Sequence, residues 1–257
     1  LLRDRMTLRG QASQDVVPEN ITISNITQDS FTLSFTTKDV SQAAVVLEET
    51  SALTTLFTDI QENGTEKEFV NHYIIINKLQ PETQYSFSVL SNEKKYLDES
   101  KFFTVKTGSV ITDESPNTNT AQGKILLQTG QPAPNALVYL KSDSSQLLSA
   151  LTKKDGTFEI PLSKLRTPVL SAYQALSPND VITITAQSQQ DKSTVQTFYE
   201  NVESIPAITL TENYSFTNTI TPLSIATQSA LPDVSLNIAS TTSFLVKITS
   251  PLNKANI

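Results

Sequence analysis

The chain has 257 residues and 38% hydrophobic content, enough for one large domain or for two of about a hundred residues, each with its own core. Its 19 Lys and Arg stand against 26 Asp and Glu, a formal net charge of -7, which argues against an electrostatic grip on nucleic-acid phosphates. Cysteine is absent and histidine occurs once, so disulfide frameworks, thiolate zinc sites, Cys nucleophiles and multi-histidine metal centres are excluded, and neither metal nor cofactor is expected.

No stretch reaches the roughly 18 to 20 consecutive apolar residues of a membrane span. Segment 1–17 opens with Leu1 and Leu2 followed by Arg3, Asp4, Arg5 and Arg9. It reads either as the flank of a hydrophobic anchor lying upstream or as an ordinary terminus. Any membrane attachment would run through a segment outside this sequence.

Residues 18–108 show period-two alternation, the signature of strands. Ile21 and Ile23 alternate with Thr22 and Ser24, and after Gln28-Asp29 the pattern resumes as Phe31, Leu33 and Phe35 against Thr32, Ser34 and Thr36. Each strand therefore has one apolar face, and a short polar turn joins the two. Further apolar runs span Ala43 to Leu47, Tyr73 to Ile76, Tyr85 to Leu90 and Lys101 to Thr107. About seven short strands separated by turn signals predict an immunoglobulin-like sandwich.

Leu79, Pro81, Thr83 and Tyr85 fall on alternate positions before Phe87 and Val89. This spacing resembles a tyrosine corner, in which a Tyr hydroxyl returns to upstream backbone. With the opening Val17-Pro18-Glu19-Asn20-Ile21, the block resembles a fibronectin type III domain over its full length. Phe35 stands where that family usually places Trp, which implies a somewhat smaller core.

Residues 109–121 lack periodicity and are rich in Ser, Thr, Asn and Pro, so they are predicted to be a linker. Alternation returns in 122–211, through Ile125 and Leu127 and then Ala136, Val138 and Leu140. Asp155-Gly156 sits between two strand-like runs and predicts a hairpin there. Later strands are expected at Val181 to Ala186, Thr194 to Tyr199 and Ala207 to Leu210. The order G-x-I, P-x-P-N-A-x-V-x-L, T-x-x-D-G-x-F resembles the carboxypeptidase regulatory-like module, a small transthyretin-like sandwich, and that resemblance implies a scaffold without catalysis. Residues 212–243 read as a second Ser- and Thr-rich linker with enough apolar content to pack on its neighbours. In 244–257, Phe244, Val246 and Ile248 alternate as in a strand and resemble the start of a further bacterial immunoglobulin-like domain. The fold class expected is thus all-β, with two tandem immunoglobulin-like sandwiches, polar linkers and a C-terminal strand segment.

Candidate chemistry is thin. His72 opens an apolar run and reads as a strand-end residue. Glu48 and Glu49 are adjacent, so in a strand they point to opposite faces and cannot act together. No calcium-loop spacing and no G-x-S-x-G elbow occurs, and Asp155 reads as a turn residue. No catalytic residue is assigned; the residues singled out, Phe35, Leu79, Pro81, Tyr85, Asp155 and Gly156, are structural. Four N-x-S/T sequons begin at Asn20, Asn25, Asn63 and Asn213, and a chain rich in Asn, Ser and Thr also produces such triplets by chance.

Two functions follow. The first is a noncatalytic structural segment of a secreted or cell-surface protein, resembling bacterial envelope proteins, whose partners are other domains of the same polypeptide or neighbouring subunits. The second is an adhesin, or the accessory binding module of a larger polysaccharide-active enzyme, with a glycan or protein ligand. Tryptophan is absent, which disfavours a sugar-stacking platform.

Overall fold

Alternating apolar residues pair into sheets wherever a second apolar face is near enough to close a core, and in this chain that happens twice. The computed structural model describes residues 15–48, 55–63 and 68–217, all within one compact unit. The segments 1–14 and 218–257 lie outside the described residues, and with them the anchor-flank and C-terminal strand expectations. Regular structure is almost entirely β, with three short 3-10 turns at Ile60–Asn63, Leu162–Lys164 and Tyr199–Ser204.

The first sandwich is built from β1 (Glu19–Ser24), β2 (Ser30–Ser41), β3 (Ala43–Glu48), β4 (Thr55–Thr58), β5 (Phe69–Asn77), β6 (Gln84–Ser91), β7 (Lys94–Tyr96) and β8 (Phe103–Lys106). One sheet has the order β1-β2-β5; the other runs β4-β3-β6, with β7 and β8 both paired to β6. Phe31, Leu33 and Phe35 of β2 and Ile74 and Ile76 of β5 meet Val45, Leu47, Phe87 and Val89 of the opposite sheet. Phe35 is fully buried in this core. Leu79 closes it from below, and the Tyr85 hydroxyl accepts a hydrogen bond from Gln80 N–H at 2.7 Å. Beside it Thr83 Oγ1 donates to the Pro81 carbonyl at 2.8 Å, so the chain turns the corner on its own side-chain hydrogen bonds.

The second sandwich comprises β9 (Thr120–Leu126), β10 (Leu137–Ser142), β11 (Leu148–Leu151), β12 (Thr157–Pro161), β13 (Val181–Ser188), β14 (Asp191–Phe198), β15 (Ile208–Thr209) and β16 (Tyr214–Ser215). Its sheets have the orders β11-β10-β13-β14-β16 and β12-β9-β15. Val138, Leu140, Ile182 and Ile184 pack across the core on Ile125, Phe158, Ile160 and Ile208. Tyr214 and Phe216 lie against the same cluster, so the start of the segment read as a second linker is part of this packing. Within 109–121, Asn117 is buried and its amide donates to the Gln174 carbonyl at 2.6 Å, while the Asn119 side chain accepts from the Tyr199 hydroxyl.

Asp155-Gly156 forms a tight hairpin-like turn, but the strands on either side of it do not go on to pair. The turn closes locally, with Gly156 N–H donating to the Lys153 carbonyl and Lys153 N–H donating to the Thr157 carbonyl at 2.8 Å, but β11 before it and β12 after it belong to different sheets. The dipeptide is a corner that carries the chain across the core. An Asp-Gly pair supplies the positive φ that this turn uses at Gly156, whether or not the flanking strands then pair.

At Gly156, φ is +79°, and an added Cβ would stand 2.5 Å from the Ile125 carbonyl oxygen. At Gly130, φ is also +79° and nothing lies within 4 Å. Gly156→Ala is therefore expected to cost more than Gly130→Ala, about 2 to 3 kcal/mol against about 1. Thermal unfolding of the two variants checks this, and equal melting temperatures would refute the corner's steric role.

Candidate functional site

On each strand the residues between the core positions point away from the core, and in a free sandwich they would meet water. Over most of the facing stretch of β2 and β5 they do not. Thr32, Ser34, Thr36, Asn71 and Tyr73 are all at most 5% exposed. The cover is the outer face of the second sandwich, where Leu137 and Tyr139 of β10 pack with Tyr73, flanked by Leu147 and Leu151. The sheets thus stack in four layers, with an apolar core inside each sandwich and a polar and aromatic seam between them.

Two asparagines fasten the seam. Asn25 follows β1 with φ of 52°, a left-handed conformation that Asn tolerates better than most residues. Its side chain meets the backbone of Ser149 on both sides: Oδ1 accepts from Ser149 N–H at 2.9 Å and Nδ2 donates to the Ser149 carbonyl at 3.1 Å. Its own N–H donates to the Leu147 carbonyl at 2.9 Å. Because β11 ends its sheet, these bonds satisfy strand-edge groups that would otherwise be buried unpaired. Asn71 works in the same way elsewhere along the seam. Its Nδ2 donates to the Asn135 carbonyl at 2.9 Å and to Ser188 Oγ at 3.1 Å, and its Oδ1 accepts from Gln189 N–H at 2.9 Å.

Between these clamps lie the two tyrosines. The Tyr73 hydroxyl donates to the Ser149 carbonyl at 2.9 Å, and Tyr139 and Ser34 share a hydrogen bond of 2.9 Å. Burial pushes the Tyr73 hydroxyl above its ordinary range, against the opposing pull of its bonds to Ser149, Thr32 and Asn25. Burial raises Tyr139 likewise, opposed by its bonds to Ser34 and Thr22. Arg166, 3% exposed, adds a further tie between the sandwiches, donating to the Ser109 carbonyl at 2.9 Å, to the Leu170 carbonyl and to Gln28 Oε1.

A second polar cluster lies inside the first sandwich. His72 is not a strand-end residue: it sits within β5, fully buried and stacked on Phe35 at 4.5 Å between ring centroids. Its Nδ1 lies 3.1 Å from Asp59 Oδ2 and its Nε2 lies 3.0 Å from Ser41 Oγ, both within hydrogen-bond distance. A register irregularity between Thr36 and Ser41 accompanies this placement of Ser41. The order Ser41, His72, Asp59 is that of a nucleophilic hydrolase triad. All three are at most 2% exposed, however, so no substrate reaches Ser41 Oγ, and Asp59 is already engaged by Tyr73 N–H and Gln61 N–H. The cluster is a satisfied polar inclusion of the core.

The structural residues expected from sequence are dispersed: Phe35 in the first core, Leu79, Pro81 and Tyr85 at the corner, and Asp155 and Gly156 at the sheet-crossing turn. Asp155 is held below its ordinary range by the Thr157 hydroxyl and backbone N–H. Of the sequon asparagines, Asn20 donates to Thr36 Oγ1 and Asn213 accepts from Thr194 N–H, the Asn63 side chain lies outside the described residues, and Asn25 Nδ2 is consumed by the seam. A glycan on Asn25 is incompatible with the docked sandwiches. Among the described residues no His, Asp and Glu group is arranged for a metal ion, and no helix is long and apolar enough to cross a membrane.

Asn25→Ala removes both Asn25 side-chain hydrogen bonds to the Ser149 backbone and is expected to cost about 2 to 4 kcal/mol by chemical denaturation. For the buried phenols the sign is fixed by their raised values: above about pH 10 the unfolded chain ionises first and binds fewer protons than the folded one, so stability falls as pH rises further. Phenolate absorbance should show a late phase that disappears in a Tyr73→Phe, Tyr139→Phe variant. A single titration near the ordinary phenol value would contradict the sealed seam.

No protein family matches this chain, and no curated protein does. Several solved structures are similar to it. They include the sensor domain of the anti-sigma factor RsgI4 of Pseudobacteroides cellulosolvens, at 19% identity over 38% of this chain and 100% of that one, TM-score 0.28. The central fibronectin-III array of RIM-binding protein is 16% identical over 74% of this chain and 65% of that one, TM-score 0.24. BcpA, the major pilin subunit of Bacillus cereus, is 11% identical over 75% and 71%, TM-score 0.25. At these TM-scores the likenesses carry no inference about ligand or activity, and the all-β sandwich fold rests on the strand pairing described above.

Proposed function

We propose that this chain is a noncatalytic structural segment of a secreted or cell-surface protein, serving as a spacer or as a subunit of a surface assembly. The observation that carries the proposal is the seam. Two sandwiches pinned face to face by Asn25, Asn71 and Arg166 form a stiff block that holds attached segments at a fixed geometry. A flexible string of modules would leave those faces solvated. The one Ser, His and Asp constellation among the described residues is sealed, which supports a role without catalysis. The acidic, Cys-free, Thr-rich composition fits an exposed bacterial envelope protein, as does the resemblance of 18–108 to fibronectin type III domains and of 122–211 to carboxypeptidase regulatory-like modules.

The second reading, an adhesin or an accessory module of a polysaccharide-active enzyme, is favoured in its protein-binding form by one feature, a cleft at the edge of the seam. Antibodies raised against the folded chain should label intact source cells, and glycan arrays and protein pull-downs with the same chain should return no glycan partner. Labelling only after lysis would overturn the surface assignment; a saturable glycan ligand would move the balance to the second reading.

A further inference from the structure

The seam does not cover the whole outer face of the β1-β2-β5 sheet. At the edge of the seam a cleft of about 230 Å³ remains, lined by Thr32, Tyr73 and Ile75 of the first sandwich and by Ile160, Pro161 and Lys164 of the second. Ile75 is 40% exposed here, although Tyr73 and Thr32 on the same face are buried.

The chemistry of an occupant follows from what the walls have left to give. The polar groups at the inner end are committed to one another: Asn25 and Tyr73 to Ser149, and the Thr27 and Ser30 hydroxyls to each other at 2.7 Å. Thr27 also donates to Asp29. A sugar would need several uncommitted donors and acceptors and finds few. What remains open is apolar surface on Ile75 and Pro161, together with the Lys164 ammonium, which has no ion pair among the described residues. No acidic residue lines the cleft. One cation beside an apolar wall selects an apolar body carrying a single negative charge, and the volume accommodates on the order of eight to ten non-hydrogen atoms.

We propose that this cleft binds a carboxylate attached to a short branched apolar group, with the carboxylate on Lys164 and the hydrocarbon against Ile75 and Pro161. That chemistry is found both in free short acids and in the C-terminal Val or Ile of a peptide. The site is independent of the structural role proposed above, since a rigid block can carry it or lack it.

The test is a nuclear magnetic resonance titration of the full chain with isovalerate, with isovaleramide as the neutral isostere, and with acetyl-Gly-Val as free acid and as amide. Isovalerate should shift the amide signals of residues 73–75 and 160–164 with a dissociation constant in the millimolar range, as suits a ligand of this size. Isovaleramide should bind about tenfold more weakly or worse, and Lys164→Gln, at an exposed position that leaves the fold intact, should weaken isovalerate similarly. Tighter binding of acetyl-Gly-Val acid than of isovalerate identifies peptide C-termini as the source; the reverse identifies free acids. Equal binding of acid and amide, insensitivity to Lys164→Gln, or no shifts at the cleft residues would overturn the proposal.

Discussion

The arrangement depends on one constraint: most of the outer face of the β1-β2-β5 sheet is polar, and that part is buried. Burying Thr32, Ser34, Asn71 and Tyr73 without partners would cost more than the fold can absorb, because each unpaired group forfeits its hydration. The second sandwich removes that cost by presenting the complementary groups. Its edge strand β11 offers the Ser149 backbone to Asn25, its Asn135 turn and β13-β14 connection meet Asn71, and Tyr139 reaches Ser34. The hydrophobic contribution at the seam is small, limited to the rings of Tyr73 and Tyr139 and to a few leucines. Geometry of hydrogen bonds, more than area, sets how the sandwiches sit, and such bonds are intolerant of sliding.

Much of the fold was legible in the chain, and the reason is periodicity. Phe31, Leu33 and Phe35 against Thr32, Ser34 and Thr36 can only be a strand with one apolar face, and that face is the first core. The same alternation concealed the seam. Thr, Ser and Asn opposite the core give an identical signal whether they meet water or a second polar sheet, so the two sandwiches read as units on a polar linker. The sequence hint was Tyr73 and Tyr139, each in an outward-facing position, where a large ring is unusual unless something covers it.

His72 and Asp155-Gly156 show two further limits. His72 was legible as lone but not as buried, because its partners Asp59 and Ser41 are distant in sequence and are joined through β-pairing and a local irregularity. Asp155-Gly156 encodes a turn, while the destination of the strands after the turn is decided by which core Phe158 and Ile160 enter. Asn25, conspicuous in the sequence as a glycosylation triplet, is in the structure the residue that closes an open sheet edge. Local pattern specifies local geometry; long-range polar pairing leaves almost no local trace.

The central claim is that the seam makes the two sandwiches one cooperative body. Native-state hydrogen exchange of the full chain across a denaturant series measures this most directly, by comparing the Leu33 and Ile74 amides of the first core with the Leu140 and Ile184 amides of the second. The account predicts that all four exchange through openings of the same free energy and the same denaturant dependence, because neither core opens without breaking the Asn25 and Asn71 clamps. Opening free energies for the two cores that differ by more than about 1 kcal/mol, each with its own smaller denaturant dependence, would contradict it.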